Sequence, residues 1–439
     1  MNNDQLTIGN DQLPEGYKQT AIGLIPEDWK VAQLKDLVDP ERKITYGIVV
    51  PGSNVPNGVP MIRAQDYSRG WVDLEDLYHV SATIDKSYKR SKVVTADILL
   101  TIVGSVGNLA KVPSLFSGSN LTQQTARLAF NTKIADADFY LNILRSRFGQ
   151  KEISNYTKSG VQPSLNLSDV DKFLLPYPSL PEQRSISQAL SDVDRLIAAL
   201  DRAIAKKRAI KTATMQQLLT GKKRLPGFGE GKGYQQTEIG VIPEDWNVRC
   251  LGEVGQSLIG LTYRPEDTRD FGTLVLRSSN VQNDRLAYEN NVYVDSALPL
   301  PSRVIVEEGD ILICVRNGSK RLIGKCALIE AEAAGSAFGA FMSVFRTKIS
   351  GFVFYQFQSD VIQTQINEIM GATINQITNK DMAAFQIPSP PSDEEQRAIA
   401  TVLSDMDAAI AALEIRLAKT QALKQGMMQA LLTGRVRLV

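Results

Sequence analysis

Histidine occurs once in this chain of 439 residues, at His79, and cysteine three times, at Cys250, Cys314 and Cys326. A single imidazole, with none in the other half of the chain, excludes a metal centre or a Ser-His-Asp arrangement in both halves. Three scattered thiols make no disulfide framework and fit free cysteines in a reducing compartment, so a cytoplasmic protein is expected. No apolar run is long enough to span a bilayer, and the opening MNNDQLTIGN lacks the charged-then-apolar order of a secretory signal. No membrane association is expected. Lys and Arg number 49 against 48 Asp and Glu, so bulk charge gives no reason to expect nucleic acid.

Motifs for phosphate binding and methyl transfer are missing too. The stretch Gly227-Phe228-Gly229-Glu230-Gly231-Lys232-Gly233 lacks P-loop spacing and the hydroxyl residue after the lysine. Adenine methylases hold a flipped base with an Asn/Asp-Pro-Pro-aromatic tetrapeptide. The nearest match, Ser389-Pro390-Pro391-Ser392, carries neither the carbonyl acceptor nor the ring. No catalytic residue, metal site or cofactor is expected in this chain.

What is there is a duplication. GYKQTAIGLIPEDWKV, Gly16 to Val31, returns as GYQQTEIGVIPEDWNV, Gly233 to Val248, and LLTG stands at Leu218–Gly221 and Leu431–Gly434. Ile25 recurs 217 residues on as Ile242, and Leu190 recurs 213 residues on as Leu403. Two equivalent units suit a target with two parts, or a partner bound twice.

Each unit has short β-rich runs between Gly, Pro, Asn and Ser turns, such as residues 47–50 and 97–103, and a helix is predicted over 138–155. Each then runs into a long helix. Apolar residues at Ile186, Leu190, Val193, Ile197, Leu200 and Ile204 alternate at intervals of four and three, a heptad seam. The second helix repeats it at Ile399, Leu403, Met406, Ile410, Leu413 and Leu417. Further along, Lys207 and Lys211, then Thr420 and Lys424, weaken the seam. Prolines (Pro178, Pro181, Pro388, Pro390, Pro391) mark the starts, Asp393-Glu394-Glu395 suits a helix N-terminus, and Gly221 and Gly434 suit the ends. A helix of about 39 residues would be roughly 58 Å long. One such stripe cannot bury itself, so antiparallel packing of the two helices is expected; packing of each helix on its own unit alone is the alternative.

The fold class that follows is α+β: two mixed α/β units separated by a long antiparallel two-helix coiled coil, a pseudo-two-fold tandem repeat. The expected boundaries are a leader at 1–15, a first unit at 16–178, a spacer helix at 179–221, a flexible linker at 222–232, a second unit at 233–390 and a second helix at 391–439. The basic runs Lys206-Lys207-Arg208 with Lys211, and Lys222-Lys223-Arg224, read either as solvated helix faces or as phosphate contacts. Duplication of Trp29 and Trp246 favours a structural role for both.

With these features the chain resembles the specificity subunit of type I restriction-modification enzymes, the HsdS family. The resemblance runs from Gly16 to Leu432. It rests on the two IPEDW segments, Leu180-Pro181-Glu182-Gln183-Arg184, Asp393-Glu394-Glu395-Gln396-Arg397 and the LLTG ends. In the second unit, Asn317-Gly318-Ser319-Lys320, Gly324-Lys325, Ser336–Ala340 and Gly371–Asn375 look like one class of target-recognition domain. The first unit departs from it, with Gly104-Ser105-Val106-Gly107-Asn108 and Thr122–Arg127 in the matching places. The resemblance implies a non-catalytic reader of a bipartite site in double-stranded DNA, with unlike half-sites and a gap of about one helical turn between their centres. It also implies docking of two methylation subunits (HsdM-like) and, through them, restriction subunits (HsdR-like). S-adenosylmethionine, ATP and Mg are expected on those partners. The near-identical scaffold and unlike interiors agree with this. The rival reading is a coiled-coil scaffold with two protein-interaction modules and no DNA role.

Base reading needs forked donors and carboxamides in turns. Candidates in the first unit are Tyr46, Arg63, Gln65, Asn108, Gln123, Gln124, Arg127, Lys158, Ser159 and Gln162. In the second they are Tyr263, Arg277, Ser278, Asn280, Arg316, Asn317, Ser319, Lys320, Arg321, Asn375 and Gln376.

Overall fold

The computed structural model describes residues 14–158, 160–370 and 376–438. The chain divides into two compact units. One holds the residues up to Leu200 together with those from Arg416; the other holds Asp201–Ile415.

In the first unit the opening hairpin pairs Tyr17–Thr20 with Gly23–Pro26, and Lys30–Gln33 pairs antiparallel with Leu174–Tyr177. Everything between those two strands is thus a closed excursion, and it holds every candidate reader of the first unit. A four-stranded sheet runs in the order Thr45–Tyr46, Thr125–Leu128, Ile98–Thr101, Leu109–Lys111. A second sheet sets Val59–Ile62 between Tyr78–Val80 and Asn120–Leu121. All four residues of Ile98–Thr101 are buried, which is why Ile98, Leu99 and Leu100 are apolar without alternation; the Thr101 hydroxyl is met by that of Tyr67. Residues 47–50 form no strand; Ile48 makes only an isolated bridge to Thr122. The helix predicted over 138–155 is two helices, Ala137–Arg145 and Arg147–Tyr156, because Ser146 ends the first and caps the second.

The second unit repeats the plan. Asn247–Cys250 pairs with Gln386–Ser389, and Gly255–Ile259, Met342–Thr347, Ile311–Cys314 and Cys326–Leu328 form the matching sheet. Ser350–Gln358 and Asp360–Ile369 are the matching helices.

The long helices are Leu180–Leu219 and Asp393–Leu431. In the first unit the start of one meets the end of the other: Lys424 pairs with Asp194 at 2.6 Å, and Arg437, just past the helix, pairs with Glu182. In the second unit Lys211 meets Asp407 at 2.7 Å and Arg208 meets Glu414 at 2.6 Å. Within each unit numbers fall on one helix as they rise on the other, so the pairing is antiparallel. The seam is not uniform. Ile186 and Leu190 sink into the globular core of the first unit beside Leu431 and Leu432, and Ile399 and Leu403 do so in the second beside Met215, Leu218 and Leu219. Leu200, Ile204 and Ile410 are buried, whereas Val193, Ile197, Met406, Leu413 and Leu417 are half-buried. Each helix therefore packs both on its neighbour and on a globular unit. Of the weak seam positions, Lys211 and Lys424 are satisfied by the ion pairs above, and Thr420 returns a hydrogen bond to the Arg416 carbonyl.

A repeated clamp explains the most conspicuous duplicated motif. In the first unit the Arg437 guanidinium lies over the Trp29 ring at 5.7 Å, forks onto Asp28 at 2.9 and 2.7 Å, and grips the buried Glu182. In the second unit Arg224 lies over Trp246 at 5.4 Å and holds Asp245 and Glu395. Gln183 and Gln396 are buried too, donating to the carbonyls of Pro178 and Pro390. The IPEDW and Glu-Gln-Arg segments are thus one device, tying the end of one long helix to the start of the other within each unit. Gly221 and Gly434 sit at φ +68° and +69°, and a Cβ on either would strike Pro243 or Pro26. Arg224 is consequently anchored at the head of the segment expected to be a free linker.

Candidate nucleic-acid interface

Each unit gathers most of its candidate readers along an edge of its own, where two of its sheets meet. In the first, the Thr122 amide donates to the Ile62 carbonyl, placing Arg63 beside Thr122–Gln124. Ile102 N–H donates to the Gln124 carbonyl at 2.8 Å, and Val103 bridges Ser164, which also bridges Lys158. The edge thus gathers Arg63, Gln65, the Gly104–Asn108 turn, Gln123, Gln124, Lys158 and Gln162; Gln162 lies against Gly104. Gln65, Gln123, Gln124, Lys158 and Gln162 are exposed, and Asn108 is half-exposed. Tyr46 is exposed at the end of the adjoining strand. Gly47 follows it because any Cβ there would overlap the Leu121 carbonyl.

The second unit repeats this frame. Gly339 N–H donates to the Leu276 carbonyl, the amides of Val315 and Arg316 both donate to the Phe341 carbonyl at 3.1 Å, and Arg316 bridges Gln376. Asn317 donates to the Ser278 hydroxyl at 3.2 Å, and Lys320 donates to the Met370 carbonyl at 3.0 Å. Arg277, Ser278, Arg316, Asn317, Ser319, Lys320, Arg321 and Gln376 are all at least partly exposed here. Ser159 and Asn375, with the rest of Gly371–Asn375, lie outside the described residues.

Three candidates need correction. Arg127 is buried, and its guanidinium donates to the carbonyls of Arg90 at 2.5 Å, Lys92 at 2.9 Å and Lys43 at 3.1 Å. It staples the interior of the first unit and presents no donor to a groove. Asn280 is fully buried; it accepts from the Arg277 amide and donates to Ala287 and Asn291. Tyr263 packs half-buried on the cluster of Val275, Val294 and Ala337, so it belongs to the core. Arg63 is partly committed, since Asp66 holds its guanidinium at 2.9 Å. The basic runs on and just past the long helix are partly engaged: Arg208, Lys211 and Arg224 are in ion pairs, whereas Lys206 and Lys207 are exposed.

Sequence reasoning missed Ile259 and Phe341, both large apolar side chains more than half exposed at this edge. Phe341 sits at the mouth of a strand, with the Arg316 guanidinium 5.4 Å from its ring centroid. Phe341 follows Gly339 by two residues, and the neighbouring Phe338 is fully buried, so the sequence did not distinguish the exposed ring from the core one.

A family model described as the type I restriction modification DNA specificity domain matches twice, at residues 26–207 and 243–422. The chain is 30% identical over 442 residues to a chain of Methanocaldococcus jannaschii named as the MjaX type I restriction enzyme specificity subunit, covering 96% of this chain and 97% of that one. It is 32% identical over 202 residues to the EcoBI specificity subunit of Escherichia coli, covering 45% and 42%. The solved type I restriction-modification S subunit from M. genitalium shares the fold, with a TM-score of 0.56 at 14% identity over 92% of this chain and 96% of that one. Among the described residues no helix is long and apolar enough to cross a membrane, and no three metal-ligating side chains gather. The two repeated units and the double match over most of the chain lead to one conclusion: this protein belongs to the type I restriction-modification DNA specificity subunit family.

Proposed function

We propose that this chain reads a two-part site in duplex DNA, one part through each unit, and delivers it to two adenine-methylating subunits. Restriction subunits join through those. The chain supplies recognition and spacing and no catalytic group of its own; S-adenosylmethionine, ATP and Mg act on the partners. Its place of work is the cytoplasm, where DNA is.

One observation carries this reading. The clamps and the Lys–Asp pairs of the long helices are duplicated residue for residue, while the side chains on the two candidate edges are not. A surface offered twice to one kind of partner must be kept alike; two readers of unlike half-sites must differ. Exposed guanidinium, ammonium and carboxamide groups on turns are the chemistry of phosphate and base-edge contact.

The test uses the full chain with its co-encoded methylation subunits on a library of duplexes holding two random segments at variable spacing. Selection should return two different short sequences at one fixed gap, with affinity falling steeply with salt. Adding a few residues to the Leu180–Leu219 helix should change the gap and leave both sequences as they were. Salt-insensitive binding, or no enriched sequence, would sink the proposal.

A further inference from the structure

The two recognition edges share a backbone frame, so their side chains can be compared position by position. Ile102 donates to the Gln124 carbonyl as Val315 does to that of Phe341, and Leu165 donates to Ile102 as Ile377 does to Val315, both at 2.8 Å. Val103 bridges Ser164 as Arg316 bridges Gln376. Gly107 donates to Thr101 as Gly324 does to Cys314. Gln124 of the first unit therefore stands where Phe341 stands in the second, Gln123 where Ala340 does, and Val103 where Arg316 does. Between the last pair and the following glycine the second unit carries a longer turn: eight positions from Arg316 to Gly324, against four from Val103 to Gly107.

The chemistry at this shared place is unlike. The first unit offers two neighbouring exposed carboxamides, with Val103 in place of the arginine and Lys158, bridged to the same Ser164, as a nearby cation. The second offers a guanidinium lying beside an exposed aromatic ring. Of the other arginines at these edges, Arg63 is held by Asp66 and Arg277 by a hydrogen bond to the Asn290 carbonyl, while Arg321 is exposed on the same turn but is not seated on a ring. Arg316 makes no ion pair among the described residues, and the Phe341 face limits its rotation without using its donors. A fork set beside a ring and left without an ion pair suits the paired acceptors O6 and N7 of guanine, whereas a carboxamide matches N6 and N7 of adenine. The ring beside the fork suits contact with a neighbouring base, a thymine methyl above all.

We infer that the second unit reads a guanine through Arg316 braced by Phe341, and that the first unit reads an adenine at the equivalent position through Gln123 and Gln124. This rests on the DNA-reading function proposed above, and the experiment separates the two. Wild-type complex, Arg316→Gln, Phe341→Ala and the double Gln123→Ala, Gln124→Ala variant are each put through the duplex selection. Arg316→Gln should turn one G·C preference in one half-site towards A·T, changing the ratio by about tenfold to a hundredfold and leaving the other half-site intact. Phe341→Ala should weaken discrimination at that same pair and its neighbour. The glutamine double variant should relax one A·T pair in the opposite half-site. All four side chains are exposed, and thermal unfolding of each variant verifies the fold. Wild-type complex with no sequence preference would overturn the function itself. Wild-type preference with an Arg316→Gln complex weakened alike on every sequence, its salt slope lower by about one, would make Arg316 a phosphate contact and overturn this inference alone.

Discussion

Lys211 donates to Asp407 at 2.7 Å, and their repeat equivalents Lys424 and Asp194 form the same pair at 2.6 Å. The surroundings differ. The Lys211 side chain is 11% exposed and Asp407 26%, against 23% and 50% for Lys424 and Asp194. Asp407 also accepts from the Tyr355 hydroxyl at 2.8 Å. Removing a buried partner strands the remaining charge, so Asp407→Ala should cost about 3 kcal/mol. Asp194→Ala, at a wetter site, should cost under about 1 kcal/mol. Urea unfolding of the two variants measures the difference, and equal losses would show that burial does not set the energy of these pairs.

The two clamps differ in one hydrogen bond. Trp29 Nε1 donates to Glu182 at 3.0 Å, whereas Trp246 Nε1 is buried without a partner. Trp29→Phe loses a charge-assisted bond; Trp246→Phe removes an unsatisfied donor. The first should therefore be the more destabilising, by about 2 kcal/mol, in denaturant titrations of otherwise matched proteins.

The repeat and the long helices were legible because their signals are local or periodic. Proline starts, a four-three apolar rhythm and glycine ends are written along the chain, and the observed helices begin and end close to them. What could not be read was the divided duty of the seam, since Ile186 and Ile399 are apolar whether they face a helix or a sheet core. Nor could the sequence distinguish Arg127, sunk among carbonyls, from Arg316, exposed on a ring: each sits in a polar run near a turn, and only the topology puts one inside and one outside. Glu182 and Gln183 look like surface residues of a helix start and are buried, Glu182 against Arg437, 255 residues away, and Gln183 against the carbonyls of Ile134 and Pro178.

Thiol chemistry offers a probe of the second unit. Burial pushes the Cys314 thiol up to about 11 and Cys326 well above its ordinary range, and both line strands of the inner sheet. Cys250 is only half-buried. Iodoacetamide at pH 8 should modify Cys250 in the folded protein and spare the other two until denaturant opens the unit. Mass spectrometry of the labelled peptides reads this directly; early labelling of Cys314 would show that the recognition edge opens locally.

Acid should act through the clamps. The hydrogen bond from Arg437 holds the Asp28 carboxyl below its ordinary range, and that from Arg224 does so for Asp245. A carboxyl whose folded pKa lies below its unfolded value contributes stability above the unfolded value. That contribution is lost as pH falls through the folded one. The melting temperature should therefore drop as pH falls below about 4, the ordinary carboxylate range. The Arg437→Gln, Arg224→Gln double variant should start lower and show a shallower acid limb. An unchanged limb in that variant would place the acid-sensitive carboxylates elsewhere.

Arg127 separates stability from reading. Its guanidinium serves three carbonyls of the first unit, and burial lowers its pKa, so the fold holds it at some cost in solvation. Arg127→Ala leaves those carbonyls unpaired in the interior and should cost about 3 kcal/mol. Because Arg127 is buried and Gln123 and Gln124 are exposed, the folded fraction of the variant should select the same two half-sites as wild type. Duplex selection at a temperature well below the variant's melting point tests this. A changed base preference at unchanged stability would return Arg127 to the readers and would mean that the edge opens to expose it on DNA.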